Sequence, residues 1–512
     1  MTRRIVGTLL LTLGWACSGW AQPCQVIVSP SGTTDFATSG DADRIDSSIA
    51  ANPGKVVCLK DGVVFYLNHA VRLLGAGTVL RGQTQSTTNR PTLLLPPNQS
   101  GDAHVAGLFY NELAPTVTQP GGNLQNAIRT HSGLCPADPK TCVVLPDVGC
   151  PSCEISYLVI NGNYGVTASG GFCRPALTSK NGYPLVWIGG TSASHSPNTG
   201  IKLHHCLIEN VASYAGVLIE DGGASADVHD NGILNCGFNY QDPATGQGFW
   251  VDGIAIQALT VRVYNNALQD TTDGGIVNWK AGAKIYANYV SSVKRSGFGA
   301  INLVDDTDMR GVAVSGNHIG ASGLGSFDVG IAVGRAVWNC PNSQNGWSAD
   351  APPVSDFSTL PGDPNPGITP GIYNNTFAAL CVPPQPTPLP PPGPLSAAQG
   401  IAGSVRAEAA PQAGPGCTVF GFFNHPLPIN GAANLKVYGN TFTGPAGQYG
   451  WYTGTGCPGL PKDVGQAVVE VGYCPTSCDF TGQTNPPPLT GLAPRALWNL
   501  IGGPKLVPIA CR

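Results

Sequence analysis

The sequence predicts an all-β protein folded as a parallel β-solenoid, and three observations lead to this prediction. The chain holds 68 glycines and 45 prolines, and only 11% of it is charged, which indicates many turns and few helices. An asparagine recurs between apolar positions, and a glycine followed by a short apolar run recurs after it. Short strands and tight turns that repeat at about 22 residues are typical of solenoid coils.

The first residues predict an export signal. A pair of arginines precedes the apolar run Ile5 to Leu13, and Gly19 and Ala21 occupy the −3 and −1 positions of a cleavage site. We therefore expect cleavage near Ala21, loss of residues 1–21, and a secreted protein, extracellular or periplasmic. No stretch reaches the roughly 18 apolar residues of a membrane helix, so we expect no membrane insertion.

The charge balance excludes one class of partner. The net charge is −4 and the isoelectric point is near 6.1. A nucleic-acid-binding surface would need a basic stripe, so we expect no nucleic acid partner. The 42% of hydrophobic residues is enough to bury a core, and we expect a monomer.

The cysteines predict disulfides. Sixteen remain when Cys17 of the export signal is set aside, and an even number in an exported protein indicates disulfide bonds. We expect Cys24 to pair with Cys58. Metal knuckles at Cys150 with Cys153, and in the stretch 474–478, are the alternative to disulfides.

The mature chain opens with a short helix in "DADRIDSSIAANPG" (41–54), followed by the strands "VVCL" (56–59) and "VRLLGAGTVLRG" (71–82). Farther on, the pattern apolar-x-x-Asn-x-apolar defines an asparagine column, and cysteine takes the Asn position in "LHHCLI" (203–208). Side-chain amides stacked in this way can bond to the backbone and to each other, so buried polar groups stay paired. The column consists of Asn231, Asn266, Asn288, Asn317, Asn375 and Asn440.

A second column consists of glycine and a short apolar strand, as in "GIAI" (253–256) and "GIVN" (275–278). Its glycines are Gly216, Gly253, Gly275, Gly299 and Gly330. The longer steps of the repeat predict loop excursions at 111–153, 338–370 and 382–395, although the proline-rich last one could be a linker. We expect a single β-helix domain over 22–443 and a Cys/Pro-rich C-terminal cap over 444–512.

The two columns and the opening segment resemble the pectin-lyase-like superfamily of single-stranded right-handed parallel β-helices. The resemblance covers about residues 25–442 and implies an all-β, right-handed parallel β-helix with a short N-terminal capping helix and long Cys/Pro-rich loops. By itself this fold does not identify a function.

Carboxylates gather beside the glycine column, on about five adjoining coils of a chain that is poor in charge. Two of them lie just before these strands: Asp252 directly precedes Gly253, and Asp273 stands two residues before Gly275. Because stacked positions lie about 5 Å apart, mutual repulsion can raise the pKa of one member. The other polar residues of this face are Glu220, Asn278, Lys280, Asn302, Asp305, Asp306 and Arg335.

Two reactions fit this face. Glycoside hydrolysis needs a carboxylic acid and a second carboxylate, for which we expect Asp273 as the acid and Asp252 as the base. Asp305 or Asp306 would support them or hold a metal. A lyase needs a base and a cation beside a uronate, supplied by Lys280, Arg335 or a Ca²⁺ ion bound by aspartates. Hydrolysis requires no cofactor.

The face is similar in part to the polygalacturonase-type glycosidases of this fold, which carry Asn-Thr-Asp, Asp-Asp, Gly-His-Gly and Arg-x-Lys on successive coils. Asp252 and Asp273 match the first two motifs. Gly274 stands in place of the second aspartate, Phe298 in place of the histidine, and the Arg-x-Lys motif is missing. The resemblance therefore implies an aspartate pair that acts on a sugar other than galacturonate.

Other residues could contact substrate or serve only the fold. Trp250 and Trp279 flank the carboxylates and could stack on sugar rings, or pack beneath a loop. His204, His229 and Asp230 could bind a metal, although a surface ladder explains them more simply. An aspartate before a glycine is also a common turn pair.

We therefore predict a secreted carbohydrate-active enzyme that cleaves a polysaccharide in a groove along the β-helix, with glycoside hydrolysis favoured over a lyase reaction. Lys280 and Arg335 would orient the substrate, and Trp250, Trp279, Asn278, Asn302 and Glu220 would contact it. The alternative is a non-catalytic β-helix, either an adhesin or a carbohydrate-binding protein.

Overall fold

The predicted repeat forms three long parallel sheets in a computed structural model, and each turn of the chain adds one strand to each sheet. The fold is a parallel β-helix, as predicted. The structure describes residues 22–36, 38–67, 71–95, 128–129, 150–163, 184–189, 199–211, 214–220, 223–241, 248–249, 251–293, 296–304, 308–321, 326–334, 354–379, 431–443, 450–453, 467–471 and 478–483.

Strands are numbered in chain order. Sheet I contains β1 (Val26–Val28), β2 (Val56–Leu59), β5 (Val79–Gly82), β8 (Glu154–Ser156), β11 (Lys202–His204), β14 (Asp227–His229), β19 (Arg262–Tyr264), β22 (Lys284–Tyr286), β25 (Ala313–Ser315), β29 (Gly371–Tyr373) and β32 (Val437–Tyr438).

Sheet II contains β3 (Val64–Tyr66), β6 (Thr92–Leu94), β9 (Val159–Asn161), β12 (Leu207–Val211), β15 (Gly232–Cys236), β20 (Ala267–Thr271), β23 (Tyr289–Ser292), β26 (His318–Ala321), β30 (Thr376–Ala379) and β33 (Thr441–Thr443).

Sheet III contains β4 (Val71–Arg72), β7 (Ile128–Arg129), β10 (Val186–Ile188), β13 (Tyr214–Ile219), β18 (Val251–Ile256), β21 (Gly274–Asn278), β24 (Ser296–Leu303), β27 (Ser326–Val333), β35 (Ala467–Val471) and β34 (Gly450–Thr453). Two small pairs lie outside the three sheets: antiparallel β16 (Phe238–Gln241) with β17 (Gly248–Phe249), and parallel β28 (Val354–Asp356) with β31 (Gly431–Ala433).

The expected opening helix is α1 (Asp41–Ala51), which packs against β1, β3 and β4 at the start of the solenoid. Its apolar residues Ala42, Ile45 and Ile49 recur at helical spacing and are fully buried in the core. Asp41 accepts the backbone N–H groups of Ser31 (2.6 Å) and Tyr66 (2.9 Å), which fixes the helix to the first coil.

The asparagine column lies between sheets I and II and forms the expected ladder. Asn266 shows the pattern: its Nδ2 donates to Val228 O (2.9 Å) and to Asn288 Oδ1 (3.0 Å). The same bonds continue to Asn440, whose Nδ2 donates to Gln483 Oε1 at 2.8 Å. At the other end, the N–H of Cys206 donates to Asn231 Oδ1 (3.0 Å), so the backbone of this cysteine takes the place of an asparagine in the ladder.

The β-helix extends past the expected boundary at 443. Strands β34 and β35 lie within the predicted C-terminal cap, but they pair in sheet III beside β27, and Gln483 prolongs the asparagine ladder. The cap was predicted because Cys and Pro dominate that segment, and composition does not show which short stretches add to an existing sheet.

Two of the cysteine expectations are confirmed. Cys24 is bonded to Cys58, and Cys150 is bonded to Cys153 rather than arranged as a metal knuckle. Of the expected excursions, residues 354–370 are held to sheet I by Lys284, whose fully buried Nζ donates to Asp363 Oδ2 (2.7 Å). The export signal, the segment 382–395 and Cys474 lie outside the described residues.

Within the described part of the chain, no helix is long and apolar enough to cross a membrane.

Candidate functional site

Asp252 lies near the start of β18 and faces outward from sheet III. It pairs in register with Ala215 of β13, which belongs to an apolar cluster on the outer face with Trp187, Leu218 and Ala255. Only 7% of Asp252 is exposed, and its Oδ1 accepts the N–H of Gly274 at 2.8 Å. The carboxyl group is therefore desolvated and held by the next coil.

Asp273 directly precedes β21, on that next coil. Its N–H donates to Val251 O (3.2 Å), which places its backbone beside that of Asp252. Burial raises the pKa of Asp273 to about 6. Burial, and then the negative charge of Asp273, raise the pKa of Asp252 well above its usual value, while the N–H of Gly274 lowers it. The pair titrates as a unit and retains one proton at a pH where isolated aspartates are ionised.

Gly274 occupies the position of the second aspartate in the polygalacturonase pattern, and a side chain there would force its neighbours to move. A Cβ on Gly274 would overlap Val277 Cγ2 and would lie 2.8 Å from Asn302 Nδ2 and 3.1 Å from Asp252 Oδ1. The glycine that replaces the second aspartate of the family motif is therefore required by the packing of Asp252, Val277 and Asn302 around it.

Asn302 lies on β24, and its side chain reaches back over the glycines of the two coils. A Cβ on Gly299 would overlap Asn302 Oδ1, and Asn302 Nδ2 lies close to Gly274 and Asp252. Asn302 is 2% exposed, and its buried Oδ1 has no hydrogen-bond partner among the residues that the structure describes. Such an acceptor is rare in native proteins and is available to a water molecule or a ligand.

The outer face beside the pair is not an open groove at the residues that the structure describes. One outward-facing residue per coil aligns in register, and none of them is more than 4% exposed. This column consists of Trp187, Leu218, Ala255, Val277, Asn302 and Ala332. The outer face of sheet III is therefore covered along this column, and Trp279, which follows β21, packs on the apolar cluster.

The remaining predicted substrate contacts lie at the opposite edge of sheet III. Trp279 follows β21 and Asp273 precedes it, so the five residues of this strand lie between them. Glu220 lies at the same far edge and accepts the Nε1–H of Trp187 at 2.7 Å. The sequence groups these residues with the aspartates because all of them lie beside the glycine column. It does not show that residues before and after the same strand lie at opposite edges of the sheet.

Lys280 and Asn278 also belong to this far edge. The buried amide of Asn278 donates to Lys280 O (2.9 Å) and contacts Met309 Sδ (3.5 Å), so it shapes the turn. Trp250, Asp305, Asp306 and Arg335, together with the side chain of Phe298, lie outside the described residues.

The histidines form a stacked surface ladder. The rings of His204 and His229 lie 4.9 Å apart with an interplanar angle of 6°, and Tyr264 continues the stack. His229 Nδ1 forms a hydrogen bond with Asp230 Oδ2 at 2.7 Å. Among the described residues, no group of three or more His, Cys, Asp or Glu could hold a metal ion.

Comparison with known proteins finds similarity in structure alone. No protein-family model matches the chain, and no curated protein matches it. The chain is similar to an endo-xylogalacturonan hydrolase from Aspergillus tubingensis, with 10% identity over 91% of this chain and 100% of that one, and a TM-score of 0.46.

Two further solved structures show the same kind of likeness. The catalytic unit of a GH87 alpha-1,3-glucanase from Streptomyces thermodiastaticus is 13% identical over 85% of this chain and 56% of that one, with a TM-score of 0.36. The A-module of a mannuronan C-5 epimerase from Azotobacter vinelandii is 11% identical over 90% and 97%, with a TM-score of 0.34. These likenesses concern the fold and carry no argument about activity.

Proposed function

We propose that this protein is a secreted carbohydrate-active enzyme that hydrolyses glycosidic bonds with Asp252 and Asp273. One observation carries the proposal: a buried and a half-buried carboxyl group lie on adjacent coils, and the pKa of each is raised. A glycosidase needs one protonated and one ionised carboxyl group at the same pH, and such a pair supplies both. Capping a bend would require neither burial nor a shared proton.

The roles within the pair follow from the two environments. The pKa of Asp252 is raised by burial and by the charge of its partner, so Asp252 is the proton donor to the leaving oxygen. Asp273, with a pKa of about 6, is ionised above that pH and acts as base or nucleophile. This assignment reverses the one made from the sequence, which could not show which carboxyl group is the more buried.

Other predicted residues keep the supporting roles proposed for them. Asn302 lies over Gly274, beside Asp252, and would contact a sugar that reaches the pair. Glu220, Trp279, Lys280 and Asn278 belong to the far edge, where they would touch a more distant part of a glycan. The proposed roles of Trp250, Asp305, Asp306 and Arg335 rest on the sequence alone, as do cleavage near Ala21 and the monomeric state.

A polysaccharide panel tests the proposal. The mature protein is incubated with neutral and uronate-containing polysaccharides, and both new reducing ends and the ultraviolet absorbance of unsaturated uronates are followed. Reducing ends without that absorbance are expected, and Asp252→Asn and Asp273→Asn should each abolish their release. Absorbance that disappears with a calcium chelator would instead establish a calcium-dependent lyase. If no polysaccharide yields a product, the protein is a non-catalytic binding protein or adhesin.

A further inference from the structure

A column of aromatic rings runs along the outer face of sheet I, far from the aspartate pair of sheet III. It occupies the last residue of each sheet I strand from β11 to β32, and these residues align in register from coil to coil. In order, the column consists of His204, His229, Tyr264, Tyr286, Ser315, Tyr373 and Tyr438.

The rings of the column are stacked face to face. Tyr264 and Tyr286 lie 4.9 Å apart with an interplanar angle of 4°, and Tyr373 and Tyr438 lie 5.0 Å apart with an angle of 3°. Each ring therefore sits one coil above its neighbour, at the spacing of hydrogen-bonded strands. Because the rings cover each other's faces, most of the column presents only ring edges to a ligand.

The column is interrupted at Ser315. Its register partners are Tyr286 on one side and Tyr373 on the other, so two aromatic rings face each other across a coil that carries no ring. Two steps of about 4.8 Å place these rings about 9.6 Å apart. One ring inserted between them would lie about 4.8 Å from each, which is the spacing found elsewhere in the column.

The corner beside this interruption is open. Gly316 follows Ser315, and a Cβ on it would meet no atom within 4 Å. Gly439 follows Tyr438 at the equivalent position, and there a Cβ would overlap Asn374 Oδ1 from the coil before. The coil before Gly316 carries only Ala287 at that position. The sequence thus places small residues at both the ring position and the corner of one coil.

We propose that the slot between Tyr286 and Tyr373 binds one sugar ring of a glycan, at a site separate from the aspartate pair. The C–H face of a pyranose packs well on an aromatic ring, and this slot offers two parallel rings at the separation that one inserted ring requires. The hydroxyl of Ser315 and the hydroxyls of the two tyrosines offer donors and acceptors for sugar hydroxyls at the slot. A purely apolar ligand would leave these groups unused.

Filling the slot tests the proposal. Full-length mature Asp273→Asn protein is run in native gels cast with soluble xylan, galactomannan, β-glucan, galactan or polygalacturonate, so that binding is measured without cleavage. We expect at least one polysaccharide to retard the protein. Ser315→Tyr should close the slot with a ring of the protein's own, and Tyr373→Ala should remove one wall. Each should reduce the association constant about tenfold or more.

Two controls separate binding from folding and from other surfaces. Ser315→Tyr should melt at or above the parent temperature because it completes the ring column. Tyr289→Ala removes an aromatic ring that is 47% exposed on sheet II and should leave retardation unchanged. Retardation that neither Ser315→Tyr nor Tyr373→Ala reduces, retardation lost equally in Tyr289→Ala, or no retardation in any gel would overturn the proposal. These results do not depend on the hydrolase activity, whose failure the polysaccharide panel detects separately.

Discussion

Gly274 donates its backbone N–H to Asp252 Oδ1 at 2.8 Å, while Asp273, the residue before it, raises the pKa of that same carboxyl group. One dipeptide therefore both holds the carboxyl group of Asp252 and perturbs its ionisation. The N–H favours the ionised form and the neighbouring charge favours the protonated form. Burial is the largest cause, and together with the charge of Asp273 it raises the pKa of Asp252 well above its ordinary value.

The first prediction concerns the pH dependence of catalysis. Hydrolysis should increase as the pH rises through about 6, where Asp273 loses its proton, and decrease at higher pH, where Asp252 loses its own. The measurement is kcat/KM against pH on whichever polysaccharide of the panel is cleaved. A profile with its lower limb near pH 4 would show that Asp273 keeps an ordinary pKa and would contradict the assigned roles.

The second prediction concerns stability. The pKa of Asp273 in the folded protein lies above its value in an unfolded chain, so the folded state binds more protons and loses stability as the pH rises from about 4 to about 6. Asp273→Asn removes this loss. The variant should therefore have a higher melting temperature than the parent at pH 7 and little advantage at pH 4. Equal differences at the two pH values would indicate a purely steric effect.

The third prediction concerns the glycine under Asn302. Gly274→Ala should lower the free energy of unfolding by about 1–3 kcal/mol, because its Cβ overlaps Val277 Cγ2 and crowds the Asn302 amide. Adding Val277→Ala should restore part of the loss. Gly367→Ala is the matched control, since a Cβ there meets nothing within 4 Å. Chemical denaturation measures all three variants, and equal stability of Gly274→Ala and the control would refute the packing argument.

Gly274→Asp extends this test to function. Installing the second aspartate of the polygalacturonase pattern should destabilise the protein at least as much as alanine does, and it should create no galacturonan hydrolysis. Release of reducing ends from polygalacturonate by this variant alone would show that the coils can repack around the side chain.

The fourth prediction concerns the asparagine ladder. Asn288 Oδ1 accepts from the N–H and the Nδ2 of Asn266, and its own Nδ2 donates to Val263 O and Asn317 Oδ1. Asn288→Ala leaves these buried groups unpaired and should cost about 3 kcal/mol or more of unfolding free energy. Asn365→Ala, in the excursion beside sheet I, should change stability little. A small effect at Asn288 would mean that water replaces the missing amide.

The fold could be predicted from the sequence because its repeat is local. The asparagine motif and the glycine motif each fit within a single coil and recur in later coils. Their residues therefore stack into columns wherever successive coils pair in register. The opening helix and the Cys24–Cys58 bond followed from the same segment-by-segment reasoning. The end of the β-helix did not, because β34 and β35 add to sheet III without a recognisable repeat.

The candidate site could be predicted only in part. Sequence alignment of the coils brought Asp252 and Asp273 together, and the structure places their backbones side by side. The alignment did not separate the two aspartates from Trp279 and Lys280, which lie at the other edge of the same sheet. Nor did it reveal Asn302 over Gly274, because that contact depends on how far a side chain reaches across neighbouring coils.

The sequence by itself determined the repeat, the fold and the stacking of two aspartates, since each is set by spacing along one chain. The tertiary structure decided what those aspartates can do. Burial comes from packing between coils and over the outer face, and burial raises the pKa of each carboxyl group. The same packing leaves no room for a side chain at Gly274 and leaves one ring position of sheet I to Ser315.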